Sequence, residues 1–446
     1  MWLETCGDDL TPRASLQEDV TVDVAIVGAG FTGLWTAYHL VANDPALRVA
    51  VVEREVAGWG ASGRNGGWCS ALFAAPWSRL EREHGRAGAL ALRRALERTV
   101  DDVGTWCESH GVDAHFAKGG TLVLARRSAQ ADRVRHDVDL DRECGGDATT
   151  WLDAGAARSR LAATDVDGAM FSPHCAAIQP ARLVRGLAKV VESLGVNVYE
   201  QTAATAIEHH AVVTPSGRIS ADVVVQATEG YTPTLAGRRR ELAPVWSLII
   251  ATEPLRADVW SELGWANRET VTDGRHVIVY AQRTADDRIV FGGRGAPYRF
   301  GSRTDGMVGH QRTFRHLEAE LGAMFPAARK ARISHRWGGV LGVPRDWMPS
   351  VGFDRAAGFA WGGGYVGDGV GCSALAGKTL AELILDRDTD DTRLPWVGHR
   401  WRTWEREPLR WLGIHGVGAL LTAADRMETW TGRQSRFATL ARRVSG

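Results

Sequence analysis

VAIVGAGFTGLWTAYHLVANDPALRVAVVEREVAGWGASGR, residues 24 to 64, decides the fold of this chain. A β-branched run ends at Gly28, and the GAGFTG that starts there turns straight into an apolar-periodic helix. A second strand, Arg48 to Val52, ends in Glu53, 25 residues after the first glycine. Each part suits a dinucleotide. Gly28 makes the tight turn, Gly30 lets the backbone approach a pyrophosphate, and Gly33 brings helix and strand close. Phe31 and Thr32 open the helix whose N-terminus faces the phosphates, while Glu53, followed by Arg54, can accept from ribose hydroxyls. The competing reading is a plain βαβ unit whose glycines serve packing alone.

The next residues bear on which dinucleotide. Gly58, Gly60, Ala61, Ser62, Gly63, Arg64, Asn65, Gly66 and Gly67 form a second glycine-rich loop. So soon after the ribose-binding strand, it lays bare backbone against another flat or anionic part of the ligand. NAD-binding units do not usually need this; a flavin further along the same groove does. An ordinary flexible loop is the alternative.

Composition sets the outer bounds. At 446 residues the chain exceeds one core, so two interleaved domains are expected. Lys plus Arg equals Asp plus Glu at 53 each, which gives no sign of nucleic acid as a partner. The 6 cysteines are scattered, with neither CxxC nor metal-ligand spacing, so no metal is expected and a reduced cytoplasmic protein is the simplest reading. MWLETCGDDL has no basic, then apolar, leader pattern. The charge-free run 24–43 contains three glycines and reads as strand, turn and helix, not as a membrane span.

Further along, Arg79 to Val134 is expected to hold one or two exposed helices and a strand at Gly120–Ala125. Pro180 to Leu194 carries a helical stripe closed by Gly195. Short strands follow at 196–199 and 211–214, then Asp222–Gln226, which ends in small residues and fits a return to the parallel sheet as well as a separate antiparallel patch. From Leu242 to Phe300 the alternation in VWSLIIAT, HVIVYAQR and RIVFGGR predicts an antiparallel sheet. Trp246, Tyr280 and Phe291 are expected either to wall a substrate pocket on it or to be core. FAWGGGYVGDGVG, residues 359 to 371, is a third glycine-rich turn into a helix, whose N-terminus would favour negative charge on a reduced flavin.

Taken together, GAGFTGL, GASGRNGG, DVVVQATEGYTP, RWGGVLGVPRDWMPSVG and GGYVGDGVGCSALAGKTLAELI resemble the D-amino-acid oxidase-like flavoproteins over residues 20–390, and most closely the gamma-glutamylputrescine oxidase-like branch. The resemblance implies an α/β (α+β overall) fold. A two-dinucleotide-binding-type FAD domain, with a parallel sheet at 20–78, 151–235 and 336–390, interleaves with an antiparallel-sheet substrate domain at 79–150 and 236–335. A C-terminal helical appendage occupies 391–446. It implies oxidation of a primary or secondary amine to an imine, then aldehyde or ketone, by hydride transfer to flavin N5, with dioxygen reduced to hydrogen peroxide. An amine dehydrogenase with another acceptor and an NAD(P)H-dependent monooxygenase are the alternatives. By position, Gly28, Gly30 and Gly33 would hold the pyrophosphate and Glu53 the ribose. Ser62, Gly63, Arg64, Asn65 and Gly66 would line the flavin, Ala204 would meet the adenine, and Thr228 would sit by the ribityl-phosphate path. Gly367, Asp368, Gly369 and Val370 would face the N1 edge.

Departures from the family pattern are informative. Where the sarcosine oxidase-like branch has its flavin-linking cysteine this chain has Gly339, so FAD should be non-covalent. Where glycine oxidase-like members have the carboxylate-gripping arginine it has Leu341, which moves the expected substrate from amino acid to amine. Arg283 or Arg345 are candidate replacement anchors, although such an arginine is more often a solvated surface residue. Tyr365 and Trp68 are expected as pocket walls, and His276, Arg283 or His335 as a cation assisting dioxygen. The chemistry otherwise belongs to the cofactor. The tail, with Trp396, Trp401, Trp404, Trp411 and Trp430 among arginines, predicts two amphipathic helices packed on their own domain; membrane-surface contact is the competing reading.

Overall fold

In the computed structural model, residues 1–145, 148–293, 298–305 and 310–445 are described. The chain begins with β1 (Val20–Val27), helix α1 (Phe31–Asn43) and β2 (Val49–Val52), the passage from strand to helix to strand that the opening motif predicts. It continues through β3 (Trp68–Ser70), α2 (Trp77–Ser109, interrupted at Gly85), β4 (Thr121–Ala125), α3 (Ser128–Glu143), β5 (Thr150–Asp153), α4 (Ala154–Arg160) and β6 (Gly168–Ser172). Next come β7 (Cys175–Ala177), α5 (Pro180–Ser193), β8 (Asn197–Tyr199), β9 (Ala206–Glu208), β10 (Ala211–Thr214) and β11 (Gly217–Gln226). Then come β12 (Leu242–Thr252), α6 (Ala257–Leu263), β13 (Thr270–Asp273), β14 (Val279–Arg283), β15 (Ile289–Gly293), α7 (Gln311–Met324) and β16 (Ile333–Pro344). The last elements are β17 (Ser350–Asp354), β18 (Phe359–Gly363), α8 (Gly369–Ile384), α9 (Leu409–Thr431) and α10 (Arg436–Ser445).

Two eight-stranded sheets organise these elements, and β3 and β7 form a separate antiparallel pair. The first has the order β17-β18-β11-β1-β2-β8; it is parallel except for the edge pair β17–β18, and β10 and β9 extend it beside β11. The strand at 222–226 therefore does return to the parallel sheet, next to β1. The second sheet has the order β16-β12-β15-β14-β13-β4-β6-β5, antiparallel apart from the β13–β4 pair. Arg294, at the end of the expected third strand, lies outside the described residues. β5 and β6, at 150–172, and all of β16, to Pro344, belong to this second sheet. The crossings between sheets therefore fall later than the expected 150 and 335, because long-range antiparallel pairing of β6 with β4 and β5, and of β16 with β12, holds those strands there.

The parallel sheet is covered by α1, α5 and α8. Leu34, Trp35 and Leu40 of α1 are almost wholly buried, each contributing roughly 1.5–3 kcal/mol of apolar burial. Gly377 lets α8 lie directly on α1, since a Cβ there would stand 2.4 Å from that of Trp35. The antiparallel sheet backs onto a second core formed with α6 and α7, around Trp265, Phe291 and Phe325. Its other face looks across at the carboxyl ends of the parallel strands.

Candidate active site

A cleft of about 410 Å³ runs between the two sheets and reaches all three glycine turns. At one end glycines bring bare backbone to the lining, at Gly28, Gly30, Gly60 and Gly66. Gly28 has φ +110°, and a Cβ on Gly33 would stand 2.0 Å from the Gly28 carbonyl oxygen. Gly33 itself does not line the cleft; it is the packing glycine that fixes the turn. Ser62 Oγ accepts the Phe31 N–H at 2.8 Å, tying the second loop to the start of α1. Glu53 closes β2 with its carboxylate accepting the N–H groups of Ala29 and Glu55, both at 3.0 Å. Burial pushes its pKa up, and the two donors oppose that. Arg54 lies over the Tyr231 ring, 5.0 Å from its centroid, at the cleft's rim.

The second loop is self-supporting. Asn65 donates to the carbonyls of Ala61 and Ser62 and accepts from Gly67 N–H at 2.7 Å, and Arg64 lies over the Trp59 ring at 4.4 Å. Gly66 lies against the Tyr280 ring and lines the cleft with Ser62, Arg64 and Asn65. Gly63 does not: a Cβ on it would stand 2.3 Å from the Gly58 carbonyl oxygen, so its role is packing, contrary to the flavin contact expected of it. Ala204 and Thr228 line the cleft, as do Gly367, Asp368, Gly369 and Val370 at the start of α8. Tyr365 is buried, and its hydroxyl bonds Thr32 Oγ1 at 2.9 Å, joining the first and third glycine turns.

At the other end side chains make the wall, and strand alternation chooses them. Ser247 and Ile249 of β12, Ile278 and Tyr280 on β14 and just before it, and Gly339 and Leu341 of β16 face the cleft. Their neighbours Trp246, Val279 and Val340 face the opposite core. Of the three aromatics read as pocket wall or core, Tyr280 is wall and Trp246 and Phe291 are core on the far side of the sheet. The Tyr280 hydroxyl bonds Ser247 Oγ at 2.7 Å, and Trp68 meets the Tyr280 ring edge-on at 6.2 Å. The Trp68 indole N–H is buried with no hydrogen-bond partner among the described residues, an orphaned donor on the wall of the cleft.

The expected cations lie elsewhere. Arg283 sits one residue out of phase with Tyr280, so it points away, over the Trp260 ring at 4.1 Å and onto Asp287 at 2.6 Å. His335 shares the face of Leu341, but the N-terminal segment covers that end of β16, and His335 pairs with Glu4 at 3.2 Å. Arg345 bonds Glu405, and His276 lies under α9, with Nε2 3.0 Å from Glu428.

Glu229, just past the end of β11, is a cleft residue that no sequence motif singles out. Its carboxylate accepts N–H from Gly364 at 2.7 Å and from Gly342 at 3.3 Å, binding the third glycine turn to β16. Burial raises its pKa to about 7 against those backbone donors. An acid set among the small residues ATEG at a strand end is the one signal the sequence offers for it. Burial likewise pushes the thiols of Cys69, Cys175 and Cys372 beside the cleft upward, Cys175 to about 12, so they are neutral packing groups.

A glycine cradle that a Cβ would fill, an acid at the end of β2, two helix N-termini and an orphaned indole donor fit an elongated, anionic, partly aromatic cofactor, as in a flavin-dinucleotide oxidoreductase. A family model, FAD dependent oxidoreductase, matches residues 23–383. The gamma-glutamylputrescine oxidoreductase of Escherichia coli (strain K12) is 31% identical over 381 residues, 84% of this chain and 86% of that one. A probable oxidoreductase OrdL of Rhizobium meliloti (strain 1021) is 32% identical over 375 residues, 82% and 84% of the two chains. The crystal structure of glycine oxidase from Geobacillus kaustophilus shares the fold, with TM-score 0.70 at 23% identity over 85% of this chain and 99% of that one.

The chain belongs to the D-amino-acid oxidase-like family of FAD-dependent oxidoreductases, in its gamma-glutamylputrescine oxidase-like branch. Members of this class act on CH–NH or CH–NH2 groups.

Proposed function

We propose that the protein is an FAD-dependent amine oxidase whose substrate is a primary or secondary amine without an α-carboxylate. The observation that carries this reading is Leu341. It stands on the cleft face of β16, and among the described residues no cation from the antiparallel sheet lines the cleft. The charged lining side chains, Glu53, Arg54, Arg64, Glu229 and Asp368, come from the end of β2, the second and third glycine turns and the end of β11. A substrate carboxylate would therefore be desolvated against Leu341, Ile249 and Ile278 without a bidentate partner.

When bound, FAD supplies the two-electron acceptor for the C–H bond beside the amine nitrogen. The chain's residues do the rest. Gly28 and Gly30, at the start of α1, would hold the pyrophosphate, Glu53 with Arg54 the adenosine ribose, and Ala204 the adenine. Ser62, Arg64, Asn65 and Gly66 would line the ring system, Thr228 the ribityl path, and Gly367 to Val370 the N1 edge. The apolar walls lower an amine's pKa by desolvation and so favour the free base that oxidation requires. The Tyr280–Ser247 hydroxyl pair offers the polar contact that orients it. Trp68 and Tyr365 exclude water from the reacting end.

Gly339 supports non-covalent binding. It lines the cleft, where a Cβ placed on it would stand 3.4 Å from Arg64 Cβ; linkage requires a thiol there, and glycine brings none. The sheet membership supports a division of the chain into flavin-binding segments near 20–78, 173–235 and 345–390, a substrate domain between them, and the appendage beyond. Six free, buried cysteines favour a cytoplasmic setting. The test is an anaerobic titration with a panel of amines, followed by admission of air. Flavin bleaching by an amine and stoichiometric peroxide are expected. Bleaching by NADPH and by no amine sinks the reading, and amine bleaching without peroxide replaces dioxygen with another acceptor.

A further inference from the structure

The family match ends at residue 383, and the chain beyond it closes with a pair of helices, apolar on the outer side as well as the inner one. The inner face of α9 does the docking. Ile414 packs with Tyr298 and Trp404, Asp425 accepts the backbone N–H groups of His276 and Val277 at 2.8 Å, and Glu428 accepts from Arg133 at 3.0 Å. The outer face carries Leu409, Leu412, Met427 and Trp430, exposed by 63, 54, 38 and 88%. With Gly416, Ala419 and Ala423 between them, these residues step by three and four, so they form one stripe along a helix of 23 residues, about 35 Å long. α10 adds Phe437 and Leu440, three residues apart and likewise exposed, while Ala438 and Ala441 face inward. Of the 10 exposed large apolar side chains among the described residues, these two helices hold 6.

The charges are sorted just as sharply. Among the described side chains from 401 to 441, the exposed charged ones are Arg402, Arg406, Arg426, Arg433 and Arg436. The acids of the segment are all engaged: Glu405 on Arg345, Glu407 on Tyr298 and Arg410, Asp425 on the amides of β14's approach, and Glu428 on Arg133. The whole chain has a formal net charge of +0, so this arginine surface is a local concentration. No described helix is long and apolar enough to cross a membrane. A helix with an apolar outer stripe, arginines and a terminal tryptophan has the make-up of one that lies in the interface plane.

We propose that α9 and α10 form an interfacial anchor that adsorbs this enzyme to an anionic phospholipid surface. Acyl chains take up Leu409, Leu412, Trp430, Phe437 and Leu440, and headgroup phosphates pair the arginines. A second copy laid along the same stripe fits less well. It brings arginines of one copy against arginines of the other, with every acid of the segment already engaged within its own chain.

The test uses the full-length flavin-loaded protein, sedimented with vesicles of phosphatidylcholine containing phosphatidylglycerol and with phosphatidylcholine alone. Binding at least about tenfold stronger to the anionic vesicles, weakening as salt is raised, is expected. The double variant Leu412→Asp/Trp430→Asp loses binding to both vesicles, whereas Arg426→Gln/Arg433→Gln loses only the anionic preference. Unchanged flavin absorbance and circular dichroism separate lost adsorption from lost fold; if the aspartate pair does not fold, the arginine pair carries the test. Failure to sediment with anionic vesicles at low salt overturns the proposal. So does binding that neither variant weakens. A lipid-independent dimer that Leu412→Asp/Trp430→Asp dissociates also overturns it, and assigns the face to a second copy.

Discussion

The two ends of the cleft are built from different materials. The end reached by the glycine turns is shaped by bare backbone at Gly28, Gly30, Gly60 and Gly66, and neighbouring side chains brace the turns, as Ser62 braces the Phe31 N–H and Thr32 braces Tyr365. The end against the antiparallel sheet is lined by side chains taken from alternate positions of strands far apart in sequence. A backbone-lined site has no room for an added Cβ. A side-chain-lined site keeps its shape when a residue changes and alters its selectivity instead.

The sharpest way to break this contrast is Gly33→Val. The new Cβ meets the Gly28 carbonyl, a backbone atom that cannot swing aside, at 2.0 Å. Strain of about 3 kcal/mol corresponds to roughly a hundredfold loss of flavin affinity. The variant should purify colourless, and a fully yellow protein would refute the close helix–strand approach. Tyr280→Ala should instead keep its flavin and lose about tenfold to a hundredfold in kcat/KM for amines, since it removes both a wall and the partner of Ser247. A flavin-free Tyr280→Ala would show that the two ends are not separable.

Leu341→Arg sharpens the comparison from the substrate side. It places a guanidinium on the cleft face of β16, and the ratio of kcat/KM for α-amino acids over amines should rise about tenfold. No change in that ratio would remove Leu341 from any role in selectivity. Glu229 joins the two ends, and its prediction is one of pH. Its folded pKa, about 7, lies above the ordinary glutamate value of 4.5, so the native state binds the extra proton between those values. Its contribution to stability is present at pH 4.5 and is lost as pH rises through 7. Melting temperatures of flavin-stripped wild type should therefore fall across this window by more than those of Glu229→Gln. Parallel curves would sink the assignment. The smallest effects are expected from Arg283→Ala and His335→Ala, within about twofold of wild-type turnover, because both side chains lie outside the cleft. A tenfold loss in either would mean the cleft extends further than its present walls.

The same contrast explains what is legible in the sequence. Turns at Gly28, Gly60–Gly67 and Gly364–Gly369 are local patterns, in which each glycine answers to its near neighbours and to the backbone's own sterics. Gly63 shows the limit: its spacing fits a flavin contact but it faces the wrong side, because a loop's curvature decides which residues meet the ligand. On the antiparallel sheet a shift of one residue reverses the face. That is why Trp246 and Arg283 are plausible by composition and misplaced by phase, while Tyr280 is in place. His335 has the right phase and is covered by a segment more than three hundred residues away in sequence. Glu229 is marked in the sequence only as an acid among small residues, and its bridging role is not legible there because its partners, Gly342 and Gly364, are supplied by other elements.

By itself the sequence determined the strand–turn–helix units, the family and the cofactor class, since these rest on short-range backbone rules that hold before any packing occurs. The tertiary structure alone decided which faces of β12, β14 and β16 turn toward the flavin end, and that Glu229 bridges the two halves. It also left the outer face of α9 bare. Each of these is a relation between segments distant in sequence, fixed by how two sheets and a final helical pair bury their surfaces against one another.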